Sequence, residues 1–413
     1  MPRSRVLSRR AASAGLLVAG SFVILNGLSF VFSVLAARAL GPAQYGVLAS
    51  MMNLLLIVNV VAMGLQAVAA RRIAVEPVRQ ESTALVVRRT AWWAGAGVAV
   101  GVAVLAPLLD RWLRLGSLGL VGLLALSACA LAVLGGRLGT LQGTEHWRGF
   151  AVTYVVFGLT RLACGWLGVV LRPDPVGAFA GVTVGLVLTM VAGVLFDRRA
   201  VAVPDHQPPP SGRATKSFLI ESGHAMTLLL AFFALSSIDV LLARAVLDEH
   251  DAGLYASGQI LAKSVLFLPS FVSVVAFPRL ARGGRDRLHL LGLAVVLGMG
   301  AVGVAMTALL PALALVFVGG AQYAQTSNRL WEFAALGAVL AGIQLLVTTA
   351  LARRHTRAVW VLWLAVAVLT GAALLATTWD ALLHIVLGVD LVVLAALVLV
   401  TRKDHITGQD LQT

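Results

Sequence analysis

Five charged side chains fall inside long apolar blocks, where a water-exposed position is hardest to sustain: Arg137, Arg161, Asp239, Lys263 and Asp390. A charge at the centre of a bilayer costs about 2.5–3.5 kcal/mol on insertion scales. Such residues therefore face protein or a water-filled cavity and mark candidate functional sites. Arg161 lies near the middle of its block, with Tyr154 two turns back on the same face. A guanidinium there offers a bidentate fork to phosphate oxygens, or a salt bridge to a neighbouring helix. Lys263 follows Gln259 by one turn. It is either a point-charge ligand for phosphate or the ion-pair partner of Asp239 on the preceding block. One cation near mid-depth in each half of the chain is what a shared anion site requires. Arg137 is about one turn from a block end, where snorkelling to the interface competes with a role as a third anion contact.

A second group is acidic and polar. Glu221 and Asp239 are 18 residues apart, five turns at about 3.6 residues per turn, so both fall on one helical face. His224, three residues after Glu221, joins that face and is the side chain suited to titrate near neutral pH. If the stripe lines a cavity, its carboxylates suit a coupling ion or sugar hydroxyls; otherwise Glu221 and His224 are hydrated at the interface. Asn26 and Asn59 add uncharged polar groups to the first two blocks, while Glu332 and His384 lie near block ends, where a solvated interface is expected. Cys129 and Cys164 both sit in apolar blocks and read as small core residues. No nucleotide-binding motif appears, no metal site is implied and no cofactor is expected.

The elements that must position these residues follow from composition. The 413-residue chain is 59% hydrophobic and only 12% charged, against about a quarter charged for a soluble domain. Many apolar blocks run to about 20 residues, enough for a helix to cross a hydrocarbon core of about 30 Å. The spans are expected at about 13–37, 46–70, 90–109, 117–141, 150–171, 175–196, 217–243, 252–278, 288–318, 329–351, 357–379 and 381–401. All should be helices, because continuous apolar blocks lack the alternation of barrel strands. The arginine-rich start, Arg3 to Arg10, is followed by an apolar run too long for a signal peptide, and is expected to be a retained first span.

The net charge of +14 does not point to nucleic acid, because the basic residues are scattered through short loops rather than gathered in a basic domain. Their distribution gives orientation instead. With the N-terminus inside, 23 of the 32 Lys and Arg residues fall on inner segments, six on outer loops and three within spans. An even number of spans, with both termini in the cytoplasm of a bacterium, follows as the expectation.

A Pro-rich stretch, 197–216, divides the chain into an N-terminal lobe, 1–196, and a C-terminal lobe, 217–413. An internal repeat supports the division. Ala37–Arg38–Ala39–Leu40 and Tyr45–Gly46–Val47–Leu48–Ala49–Ser50 recur as Ala243–Arg244–Ala245–Val246 and Ala252–Gly253–Leu254–Tyr255–Ala256–Ser257, and Arg72–Ile73–Ala74 recurs as Arg279–Leu280–Ala281. The offset is 206 before the first loop and 207 after it. Both copies run outward from an inner N-terminus, so the repeats are parallel. The expected architecture is an all-α polytopic membrane protein of about twelve helices, in two six-helix lobes around a central cavity.

The segment Leu35 to Ser50, LAARALGPAQYGVLAS, the later ARRIA, and Ser236 to Leu261, SSIDVLLARAVLDEHDAGLYASGQIL, resemble bacterial polysaccharide flippases. These belong to the multidrug/oligosaccharidyl-lipid/polysaccharide transporter superfamily. The resemblance implies transport of a lipid-linked oligosaccharide across the plasma membrane, without bond chemistry. Partners implied are the lipid-linked glycan, membrane lipids and glycan-assembly enzymes, with the protein acting as a monomer. The short chain lacks the extra helix pair of the peptidoglycan-precursor branch, and the polar residues of its first two spans (Asn26, Asn53, Asn59, Gln66) do not match that branch's basic residues. Both departures argue against lipid II. The alternatives are a drug or cation antiporter of the same superfamily, a multispan glycan polymerase or ligase, and a non-transporting scaffold. Short outer loops count against the enzyme, and the cations Arg161 and Lys263 against the antiporter.

Overall fold

The computed structural model describes residues 2–75, 80–201, 212–280, 285–353 and 356–409, and the side chains of a narrower set. Thirteen α-helices and one 3-10 segment, with no strand, make up the described residues. In chain order the helices are α1 (Pro2–Val75), α2 (Gln80–Val104), α3 (Ala106–Leu113), α4 (Leu118–Gly143), α5 (Trp147–Leu171), α6 (Pro175–Ala200) and α7 (Gly212–Val246). There follow α8 (Glu249–Leu280), α9 (Arg285–Leu309), α10 (Pro311–Val318), the 3-10 segment Ala321–Arg329, α11 (Leu330–Arg353), α12 (Thr356–Ala373) and α13 (Trp379–Gln409). Every expected span falls mainly on helix, although 357–379 runs past the end of α12 through the non-helical 374–378. Among the described residues, eight helices are long and apolar enough to cross a membrane, nine if one bent pair is taken as a single span. Such helices satisfy their own backbone in hydrocarbon, as a chain with this little charge requires.

The 74 residues of α1 are not one rod. Gly41 has φ 73 and ψ 172, a left-handed conformation that side chains disfavour and glycine adopts freely. Pro42 then opens the second arm, where its missing N–H costs nothing. The second copy of the repeat starts its equivalent helix by other means: Asp248 Oδ1 accepts from the N–H groups of His250 and Asp251 at 2.8 and 2.9 Å, capping the start of α8. At the same corner the repeat meets itself. A Cβ added to Gly46 would lie 3.2 Å from the backbone nitrogen of Gly253, and one added to Gly253 would overlap the carbonyl oxygen of Pro42.

The expected spans 90–109 and 288–318 are each broken. The first bends by 56° between α2 and α3, just before Pro107. The second breaks at Leu310, φ −125 and ψ 57, immediately before Pro311. Proline removes one helix hydrogen bond and clashes with the preceding turn. These prolines are 204 residues apart, so the repeat extends into the third crossing of each half.

The chain divides into two compact units, Met1–Phe32 with Leu54–Met226, and Ser33–Asn53 with Thr227–Thr413. Residues 202–211 of the Pro-rich stretch lie outside the described residues. In the first unit, α4 packs against the second arm of α1 along a glycine seam. A Cβ on Gly139 would lie 2.6 Å from the Gln66 carbonyl oxygen, one on Gly143 would lie 2.8 Å from that of Ala70, and one on Gly135 would overlap that of Ala62. Gly181 and Gly185 of α6 meet the backbone of α5 in the same way. Small residues at these spacings let helix backbones approach closely in a bilayer. Gly97 and Gly101, a third pair of that spacing, face open space. Hydroxyl pairs add to the seam, Ser127 with Thr183 and Thr160 with Thr189, each at 2.9 Å. In the second unit, Gln322 and Tyr323 hydrogen-bond the carbonyl of Ala37 at 2.9 Å each, and Arg38 donates to the carbonyl of Val316 at 2.6 Å.

Candidate functional site

The second unit holds a polar cluster inside its helices. Tyr255, Gln259 and Lys263 follow one another at four-residue spacing along α8, so they form one stripe. Asp239 of α7 faces this stripe and is buried. Its carboxylate accepts from Tyr255 Oη at 2.8 Å, from Gln259 Nε2, and from its neighbour's N–H at Val240 at 2.9 Å. Lys263 Nζ donates to Asn53 Oδ1 at 2.8 Å, to the Ser236 carbonyl at 3.0 Å and to Ser237 Oγ at 3.3 Å. Those three bonds account for all three ammonium donors. Lys263 and Asp239 also attract each other electrostatically. Asp390 of α13 is buried and close enough to Asp239 for the two carboxylates to repel. Its Oδ1 has no hydrogen-bond partner among the described residues. Among the described residues the cluster holds two carboxylates and one ammonium, so with both carboxylates ionised it lacks one positive charge.

The first unit places its charges differently. Arg161 of α5 is half-buried, and Tyr154 two turns before it packs between Phe22 and Phe150, with ring centroids 4.4 and 4.9 Å away. Gln66 bonds Gln142 Oε1 at 3.1 Å and also reaches the Tyr154 hydroxyl. Arg137 does not snorkel. It is buried, and its Nη1 donates to Asp197 Oδ2 at 2.7 Å. The same oxygen accepts from Arg88 Nε at 2.9 Å, while Arg88 Nη2 bonds the Val201 carbonyl at 2.8 Å, closing the end of α6. Glu221 is not simply hydrated either, since it is ion-paired to Arg71 and Arg72. Asn26 donates to its own helix, at the Phe22 carbonyl, 2.9 Å away, and Asn59 is half-buried on the second arm of α1. The side chain of His224 lies outside the described residues.

Glu332, expected at a solvated interface, is 3% exposed. It accepts from Arg329 Nη1 at 2.7 Å and lies 3.0 Å from His384 Nε2. The structure therefore brings together Asp239, Gln259 and Lys263, and leaves Arg137, Arg161 and Glu221 in separate settings within the first unit. Sequence reasoning missed Asn53, Ser237 and Tyr255 as partners of this cluster. The four-residue stripe on α8 was the available signal for Tyr255. No local pattern announces Asp390 beside Asp239, because 151 residues separate them.

The sequence pattern of the family described as "Polysaccharide biosynthesis protein" matches residues 13–283. No curated protein matches significantly. Among solved structures, the chain is similar to an inward-facing multidrug resistance MATE family transporter of the MOP superfamily, with TM-score 0.74, 13% identity, and coverage of 95% of this chain and 98% of that one. It is also similar to an outward-facing member of the same description, with TM-score 0.62, 14% identity and 97% coverage of each chain. A MATE protein in complex with MaL6 gives TM-score 0.62 at 15% identity, covering 95% and 96%. At these identities the likeness establishes a shared fold.

Proposed function

Because the chain belongs to the family described as Polysaccharide biosynthesis protein, we propose that it moves a lipid-linked oligosaccharide, or a related envelope polysaccharide precursor, across the bacterial plasma membrane. In this reading the two halves of the repeat are lobes that expose a polar compartment to each side in turn. The termini are cytoplasmic, and the substrate's polyprenyl tail stays in lipid while the diphosphate and sugars cross. No bond is made or broken, so no catalytic residue is needed. The protein acts as a monomer beside enzymes that assemble the glycan.

The observation that supports this best is the cluster around Lys263. A cation held inside a membrane-spanning unit by Asn53, Ser236 and Ser237, with polar hydroxyl and amide groups around it, suits a substrate that carries phosphate and sugar hydroxyls. Asp239 and Asp390 give the same cluster a place for a coupling cation or proton, which supplies the missing positive charge. Arg161 remains the candidate cation of the first unit.

The test is glycan translocation in cells lacking the gene, complemented with wild type, Lys263→Ala or Arg161→Ala at equal membrane abundance. The reading expects a lipid-linked glycan trapped on the cytoplasmic face without the gene and with either variant. Full export by both variants would leave those charges structural. Export in the gene's absence would defeat the flippase reading itself. A second reading, a cation or drug antiporter, draws on the excess of carboxylate over ammonium in the same cluster. It expects Asp390→Asn to abolish efflux of small cationic dyes, with glycan export untouched.

A further inference from the structure

The three hydrogen-bond acceptors of the Lys263 ammonium, all within the second unit, are neutral: Asn53 Oδ1 at 2.8 Å, the Ser236 carbonyl at 3.0 Å and Ser237 Oγ at 3.3 Å. With its three donors engaged, the ammonium offers nothing to a phosphate until one acceptor leaves. Lys263 is half-buried, so its site can be reached, whereas Asn53, Ser236 and Ser237 are buried. Ser236 and Ser237 are neighbours on α7 and hold the ammonium from one element. Asn53 comes from another, the second arm of α1, and makes the shortest of the three bonds. Its Nδ2 donates to the Ala49 carbonyl at 2.9 Å, so the amide is tied to its own helix and moves with it.

Two observations make Asn53 the acceptor that yields. The helix changes unit at this residue: Ser33–Asn53 groups with Thr227–Thr413, and the chain from Leu54 belongs to the other unit. A movement of either unit must be absorbed by α1 here, while the two α7 acceptors lie inside one unit. The repeat also manages without the contact. At its offset of 207, and 206 before the first loop, Lys263 matches Leu56, Asn53 matches Ile260 and Ser237 matches Val31. Helix forms in both copies, so the polar set is an addition to one copy and not a requirement of the element. An anionic oxygen makes a charge-assisted bond to an ammonium, about twice as strong as a neutral acceptor makes. A neutral solute brings no stronger acceptor than the amide already there, so the exchange selects for an anion.

We propose that Asn53 stands in for the substrate's anionic oxygen: its amide oxygen occupies the Lys263 donor that a diphosphate oxygen takes over, and that donor is freed when α1 withdraws Asn53. Asn53 is thus a specificity-determining residue, keeping the ammonium satisfied while the site is empty and yielding it to an anion. The inference rests on the glycan-carrier reading and deepens it, by naming the residue that gives way to the phosphate.

The test is calorimetric titration of the full chain, in phosphatidylcholine nanodiscs, with inorganic pyrophosphate as the probe. Asn53→Ala removes the competing acceptor and should tighten binding about fivefold, the worth of one neutral hydrogen bond. Misfolding cannot tighten binding, so a gain here reads displacement and not damage. Asn53→Asp puts a fixed anion on the same donor and should weaken binding at least as much as Lys263→Gln. Lys263→Gln should itself weaken it about tenfold, the worth of one bond to a charged group. If Lys263→Gln binds as tightly as wild type, the ammonium is not an anion site, and the glycan-carrier reading loses its best support along with this inference. If Lys263→Gln weakens binding but Asn53→Ala does not tighten it, because the released ammonium turns to Asp239 or because another acceptor yields, the cation site stands. Asn53 is then a structural partner only, and this inference alone is wrong.

Discussion

Asp197 shows how a residue that sequence reasoning passed over decides the meaning of one it singled out. Arg137 was read as a snorkelling cation or an anion contact, and it is instead held by Asp197 together with Arg88. The partners are 60 and 109 residues apart in sequence, so no spacing rule could pair them. Breaking a buried ion pair from one side leaves an uncompensated charge, at a cost of about 3–5 kcal/mol. Asp197→Ala should therefore lower the melting temperature of the detergent-purified protein markedly, whereas Arg172→Ala, at a solvent-exposed pair with Asp174, should change it little. An Asp197→Ala protein that melts like wild type would return Arg137 to the list of residues free to bind an anion. Lys263 was more legible, because an ammonium deep in an apolar block announces itself. That its donors go to Asn53, Ser236 and Ser237 could not be read from a linear pattern.

At the scale of elements, the glycine seams were visible as small residues four apart, but which seams carry a contact was not. Gly139 presses on the second arm of α1 and Gly97 on nothing, because spacing specifies a face and not what lies against it. Gly139→Leu should cost about 1–3 kcal/mol by overpacking, and Gly97→Leu should be nearly neutral in the same melting assay. Helix breaks were legible only in part: Gly41–Pro42 stands between two spans, whereas Pro107 and Pro311 lie inside expected ones. The start of α8 carries a pH dependence. Burial, and then the nearby Asp248 carboxylate, raise the Asp251 carboxyl above its ordinary range, while its Oδ2 accepts from the Trp379 N–H at 3.4 Å. A raised folded-state value means that the folded protein holds this proton more tightly than the unfolded chain. The associated stability is present at low pH and is lost as pH rises above the usual carboxylate value of about 3.9 and through the raised one. Asp251→Asn should flatten that decline, read as melting temperature between mildly acid and neutral pH.

For the whole molecule, the positive-inside count makes a claim about sidedness that labelling can check. With Cys129 and Cys164 replaced, Ser117→Cys should react with a membrane-impermeant maleimide on intact cells, and His146→Cys only after permeabilisation. The reverse pattern would invert the topology. The helical character and order of the spans were legible because continuous apolar length announces itself locally in the chain. The composition of the two units was not, since Ser33–Asn53 joins the unit formed by Thr227–Thr413. The meeting of Gly46 with Gly253 has an ancestral consequence. A parallel repeat is what the joining of two copies of one gene produces. In an unjoined pair these two positions would be one codon, so a single substitution would add a side chain at both, one against the backbone of Gly253 and the other against that of Pro42. In the joined chain the two positions can vary separately, and the segments beside them differ, since Gly41–Pro42 opens one helix and Asp248 caps the other, while glycine stands at both contact positions.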